Sequence, residues 1–138
     1  MSARRWALGM AVVLTAGAPV LLGAGAAQAA TPTCSTSVSY TTVHGSSTTI
    51  PAAGRNVSCL LARGSSGNGV RALQLSLNEC YGANLARDGI FGAGTQAALR
   101  RAQSQEGQAA DGVYGPRTRD ALHWRVAGFA CDRVNGPG

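Results

Sequence analysis

Residues 88–99 read DGIFGAGTQAAL, and residues 111–122 read DGVYGPRTRDAL. The two segments agree at Asp, Gly, Gly, Thr, Ala and Leu, and exchange like for like at Ile90/Val113 and Phe91/Tyr114. A chain this short that repeats a segment must build the same local structure twice. Asp-Gly is a turn pair, in which the Asp side chain bonds nearby backbone N–H groups and the Gly accepts positive φ. The β-branched residue and the aromatic ring then point inward from an extended stretch. Pro116 stands at a first helical position, where its missing N–H costs nothing. Thr95 and Thr118 fall in the first turn, within reach of their own loops. Each copy is therefore a loop-to-helix entry. Asp88, Gly89, Phe91, Gly92 and Thr95, with Asp111, Gly112, Gly115, Pro116 and Thr118, are read as architecture rather than ligand contacts.

The chain has 138 residues, enough for one modest domain. Arg4 and Arg5 precede an uncharged run that ends in Ala27-Gln28-Ala29, a small-x-small cleavage pattern, so residues 1–29 read as a secretory signal peptide. Ala3 before the arginine pair favours the general secretory route over twin-arginine export. Removing 29 of 138 residues leaves 109, which carry Cys34, Cys59, Cys80 and Cys131. Four cysteines in a short exported chain imply two disulfides with three possible pairings. Metal binding fits poorly, since no two cysteines lie within four residues and the only histidines are His44 and His123.

Without Arg4 and Arg5, ten arginines face six acids, a balance of +4, and the chain contains no lysine. Arginine offers a planar fork for carboxylates and phosphates. A solvated basic face explains the same excess. Export and the lack of any basic cluster longer than Arg100-Arg101 argue against nucleic acid.

Residues 30–54 are rich in Ser and Thr and read as an arm or linker; alternation at Val38, Tyr40 and Thr42 fits a short strand, and a flexible arm fits equally. Val70, Leu73 and Leu77 share one face of a helix ending near Glu79, with Gln74 beside that face. A second helix is predicted from about Gly94 to Glu106 with Gln103 in the matching place, and a third from Pro116 to about Arg125. Gln74 and Gln103 read as buried amides bonded to a neighbouring loop, or as part of a binding rim. The expected fold is mainly α: a compact, disulfide-stapled three-helix domain over residues 55–131, followed by a tail at 132–138.

The ordered pattern of Gly64 to Gly67, Val70, Leu73-Gln74, Asp88 to Thr95, Gln103, Gly107 and Asp111 to Thr118 resembles the peptidoglycan-binding domain attached to bacterial cell-wall hydrolases. The resemblance covers roughly residues 60–122. It implies a secreted, non-catalytic module held on cell-wall peptidoglycan, extracellular or wall-associated; an arginine-only, Ala/Gly-rich exported chain also resembles products of high-GC Gram-positive bacteria. The family resemblance also implies a bridge between the domain's ends, Cys59 to Cys131, leaving Cys34 to Cys80; Cys34–Cys59 with Cys80–Cys131 stays open. Ala102 stands where the family has Phe, and Gln108 where it has Leu, both thinning the core.

Three rival functions compete with wall binding. Catalysis lacks a free thiol if all four cysteines pair, and only sixteen residues follow the repeats. Calcium docking at EF-hand-like loops fails on chemistry, since each loop offers one carboxylate where calcium wants six to eight oxygens. No cofactor and no metal are expected. A secreted binder of a protein, such as an inhibitor or partner subunit of a cell-wall enzyme, shares every feature above and is the alternative. For peptidoglycan, the candidate contacts are Arg87 and Arg117 beside the loops, Tyr81 and Tyr114 as ring faces, and Asn68. Tyr114 equally reads as core, like its counterpart Phe91.

Overall fold

The computed structural model describes residue 17 and residues 30–135; the rest of the expected signal peptide and residues 136–138 of the tail lie outside them. The chain runs β1 (Thr36–Thr41), β2 (Ser47–Ala52), α1 (Asn68–Tyr81), α2 (Ala93–Gln105), α3 (Pro116–Ala121), β3 (His123–Arg125) and β4 (Cys131–Arg133), with a 3-10 turn at Ala127–Phe129. With 34% of the structure helical and 25% in strands, the expected mainly α, three-helix fold is corrected: three helices share the molecule with two small antiparallel sheets.

The first sheet is built from the Ser/Thr-rich segment. β1 and β2 pair antiparallel with Val38 opposite Ile50 and Tyr40 opposite Thr48. Along β2 burial alternates from Ser47 to Ile50, with Thr48 and Ile50 inside and Ser47 and Thr49 exposed, the period-2 signature of a strand with one face covered; Pro51 and Ala52 are then both buried. The turn closes through Thr42, whose N–H donates to the Ser46 carbonyl at 2.8 Å while its hydroxyl accepts from the Ser46 N–H at 3.0 Å. Glycines bring this segment onto the helix. A Cβ at Gly69 would stand 2.0 Å from the Cys34 carbonyl oxygen, and one at Gly67 2.4 Å from that of Ser35. The backbone of residues 34–36 therefore lies directly across the start of α1, where the Asn68 N–H donates to the Ser35 carbonyl at 3.1 Å.

The second sheet replaces the end of the expected third helix. α3 stops at Ala121, and Leu122 turns to extended backbone at φ −71°, ψ 150°. β3 then pairs with β4, Trp124 facing Asp132. The Trp124 indole N–H donates to the Arg119 carbonyl at 2.9 Å, and its ring meets Tyr114 edge-on at 5.9 Å. An isolated bridge between Thr48 and Val126 joins the two sheets.

The disulfides are Cys34–Cys59 and Cys80–Cys131. The end-to-end Cys59–Cys131 bridge implied by the family resemblance is not formed. One bridge fastens the hairpin's leading segment to the loop before α1, and the other fastens β4 to the last turn of α1. The core between these layers holds Ile50, Leu61, Leu73, Leu77, Phe91, Leu99, Tyr114, Leu122 and Trp124. Among the described residues, no helix is long and apolar enough to cross a membrane.

Candidate functional site

The two repeated loops are held by the same buried device. Gln74 on α1 lies within 3.1 Å, through its amide nitrogen, of Asp88 Oδ1, the Ile90 carbonyl and Thr95 Oγ1, while its Oε1 accepts from the Gly89 N–H at 3.0 Å. Gln103 on α2 does the same with Asp111 at 3.0 Å, Val113 at 2.9 Å and Thr118 at 3.1 Å, and accepts from Gly112 at 3.0 Å. Both amides are buried, and two N–H hydrogens serve three acceptors, so one is shared. Each Asp also accepts from the N–H two residues on, Ile90 or Val113, at 2.9 Å. The Ile90 N–H and the Gln74 amide hold the exposed Asp88 carboxyl below its ordinary range.

A single segment ties both loops to α1. Leu61 exchanges backbone hydrogen bonds with Tyr114 at 3.0 and 2.8 Å, and the Phe91 N–H donates to the Ser65 carbonyl at 2.9 Å. The equivalent aromatic positions thus dock on neighbouring stretches of the residue 61–65 loop. Over each loop glycine lies an arginine: a Cβ at Gly89 would meet Arg71 Nε at 3.0 Å, and one at Gly112 would meet Arg100 Nε at 3.0 Å. Arg71 and Arg100 each stand three residues before the network glutamine. They were missed in the sequence, where the doubled Arg-x-x-Gln spacing could have shown them.

Asn68 and Arg87 come together in a depression of about 250 Å³ shared with Arg71, Ser37 and Thr49. Arg117 lies elsewhere, beside a depression of about 400 Å³ over the second loop, with Leu60, Val113 and Pro116. A smaller hollow of about 210 Å³ covers the first loop between Leu85, Asp88 and Ile90. Ile90 is 59% exposed, leaving an apolar group at its rim.

The two tyrosines do not line these surfaces. Tyr114 is fully buried and its hydroxyl has no hydrogen-bond partner; burial pushes its phenol far up. It is a core residue, as Phe91 is, and offers a ligand nothing. Tyr81 is tied into a polar knot: its hydroxyl donates to Glu106 Oε1 and accepts from the His123 N–H, both at 2.7 Å. His123 Nδ1 lies 2.8 Å from the same carboxylate oxygen, and Arg133 donates to the other at 2.6 Å. The knot fastens the ends of α1 and α2 to β3 and β4. Burial is the largest cause that raises the Tyr81 phenol. Against burial, the hydrogen bonds of Tyr81 and His123 and the Arg133 charge keep the Glu106 carboxyl below its ordinary range. Among the described residues, no three His, Cys, Asp or Glu side chains gather where a metal ion could be held.

Comparison with known proteins places residues 66–122 in a match to the family described as "Putative peptidoglycan binding domain". Over 77 residues the chain is 44% identical to the zinc D-Ala-D-Ala carboxypeptidase of Streptomyces albus G, covering 54% of this chain and 30% of that enzyme's length. Among solved structures, the SleB N-terminal domain aligns at 37% identity and TM-score 0.44, over 45% of this chain and 85% of that one. A peptidoglycan-binding protein of Clostridioides difficile, in complex with glutamine hydroxamate, aligns at 34% identity and TM-score 0.46, over 54% and 43% of the two chains.

Proposed function

We propose that this chain, whose residues 66–122 carry a peptidoglycan-binding-family domain, is a secreted, non-catalytic module that holds itself or a partner on bacterial cell-wall peptidoglycan. The observation that carries the reading is the family match over the segment containing both loop networks. It is supported by surface chemistry. Peptidoglycan is glycan cross-linked by short peptides with free carboxylates, and Arg87 with Asn68, and Arg117, offer guanidinium and amide groups at two open depressions. Two disulfides among the described residues accord with an extracellular or wall-associated site of action.

The non-catalytic part of the reading rests on the reactive groups available. All four cysteines are paired. His44 Nδ1 sits 2.8 Å from Asp132, and His123 is held with the Tyr81 hydroxyl in the Glu106 knot, so both imidazoles are engaged by carboxylates. The chain spans about 30% of the length of its carboxypeptidase relative, so that enzyme's activity is not carried over with the match.

The second reading is a secreted module that binds a protein, such as an inhibitor or partner subunit of a cell-wall enzyme. The apolar rim residues Leu60 and Ile90 favour it as much as they favour wall binding. Sedimentation with insoluble peptidoglycan separates the two. Retention that soluble muropeptide competes away is the expected outcome. No retention would discard wall binding in favour of a protein partner.

A further inference from the structure

The depression at Asn68 and Arg87 does not end there. A second one, of about 260 Å³, lies between β2 and the 3-10 turn after β3, and the two share Thr49 and Leu75. Together they form one groove between β2 of the hairpin and the adjoining side of α1, running from Asn68 to Ser76. The eight steps of helix between them, at 1.5 Å each, make the floor about 12 Å long.

Its ends are cationic and its middle is not. At one end stand Arg71 and Arg87; at the other stands Arg125, the only charged residue lining that part. The middle is Thr49, Leu75 and Ser76. The ion pairs among the described residues engage Arg119 and Arg133, and none answers Arg71, Arg87 or Arg125. Arg125 is also positioned. Its guanidinium carbon lies 5.0 Å from the centroid of the Phe129 ring, and its buried Nε has no hydrogen-bond partner. Phe129 itself is 77% exposed and, at φ 62°, is the single non-glycine residue with positive φ among those described. That conformation brings the Cβ of a bulky residue too close to the following carbonyl oxygen. The turn is thus held in a costly shape that keeps an aromatic ring in solvent under an unpaired guanidinium.

We propose that the β2–α1 groove binds a short extended peptide of about four residues carrying a carboxylate at each end, the length following from about 3.3 Å of strand per residue along the 12 Å floor. A charged fork at each end answers two carboxylates, the exposed Thr49 hydroxyl serves the peptide's backbone, and Leu75 takes a small apolar side chain; the buried Ser76 hydroxyl is already engaged by the Arg125 N–H at 3.2 Å. A glycan backbone alone would leave the arginines unanswered. About half of the groove's lining, including Thr49 and Arg125, lies outside 66–122, so the hairpin and the β3–β4 turn would add a peptide-reading face to the wall-binding domain. That source for the peptide rests on the wall-binding reading; the carboxylate chemistry does not.

The test uses the processed protein and the probe acetyl-Glu-Ala-Ala-Ala, made with all-L and with alternating D residues. Its C-terminal amide, its Gln analogue and chitotetraose serve as comparisons, followed by amide chemical shifts. Shifts should map to Thr49, Leu75, Ser76 and Ala127, and loss of either carboxylate should weaken binding about tenfold or more. In R125Q one of those two penalties should vanish while the other persists, and R87Q should show the converse. Equal binding of charged and neutral probes, shifts confined to other faces, or chitotetraose alone filling the groove would each overturn the proposal. Sedimentation with whole peptidoglycan is run alongside. Retention there without probe binding rejects the peptide groove and leaves wall binding standing; probe binding without retention does the reverse.

Discussion

At the scale of single residues, the loop networks and the core aromatics make opposite demands. Gln103 satisfies four polar groups from a buried position, so no apolar residue of similar size replaces it without orphaning them. Leaving the Gly112 N–H unpaired, and the Val113 carbonyl with only the Thr118 hydroxyl at 3.4 Å, costs about 1 to 3 kcal/mol each. Gln103→Leu is therefore expected to lower stability by about 3 kcal/mol, measured as a shifted urea midpoint at unchanged slope. An unchanged midpoint would mean that the amide does not hold the loop. Tyr114 is the converse case, because its hydroxyl is buried and bonded to nothing. Tyr114→Phe removes an unsatisfied polar group and copies Phe91, so it should leave stability equal or raise it by about 1 kcal/mol. Retention on peptidoglycan should not change in the same variant. A loss of retention with the fold intact would return this residue to the binding surface.

At the scale of elements, the disulfides decide what the two sheets can do. In the chain-entropy picture, closing loops of 25 and 51 residues stabilises by about 3.5 and about 4 kcal/mol respectively. The structural consequences should differ more than the energies. Replacing Cys80 and Cys131 by Ala should raise amide exchange chiefly in β3 and β4, which are three residues each. The Cys34/Cys59 double variant should expose β1, β2 and the start of α1. Uniform loss of protection in both would contradict that division. The same elements show what the sequence could reveal. α1 was legible because Val70, Leu73 and Leu77 mark one helical face and glycine follows its last turn, with Gly82 at φ 66°. The duplicated loops and the glutamines beside them were legible from repetition. The hairpin was not settled, because its alternation is written in Ser and Thr, which suit an exposed strand and a flexible arm alike. The end of α3 was misread. Leu122 and Val126 continue a helical spacing with no glycine until Gly128, while the switch to strand is imposed from afar by the β4 partner, the Cys80–Cys131 bridge and the buried Trp124. Residue type alone places Tyr114 among the ligand contacts, and its burial is a property of the whole packing that residue type does not carry.

At the scale of the whole molecule, charge remains after the fold has used what it needs. Asp120, Asp132 and Glu106 are engaged by Arg119, His44, and the His123–Arg133 pair, which leaves Glu79, Asp88 and Asp111 outside any ion pair among the described residues. Eight arginines of the described chain, Arg55, Arg63, Arg71, Arg87, Arg100, Arg101, Arg117 and Arg125, likewise take part in none. Such an excess acts at a distance on a polymer that carries carboxylates, and it acts through solvent, where the screening length falls from about 10 Å at 0.1 M salt to about 3 Å at 1 M. Retention on insoluble peptidoglycan should therefore weaken steadily as sodium chloride rises over that range. If the charge acts diffusely, removing any two arginines should flatten the salt dependence alike. If it acts through the β2–α1 groove, the R87Q/R125Q pair should flatten it well beyond R55Q/R63Q, although both pairs remove the same net charge. Equal slopes for the two pairs would place recognition in the overall field rather than in the groove, and a wild-type protein indifferent to salt would remove arginine from the account of wall binding altogether.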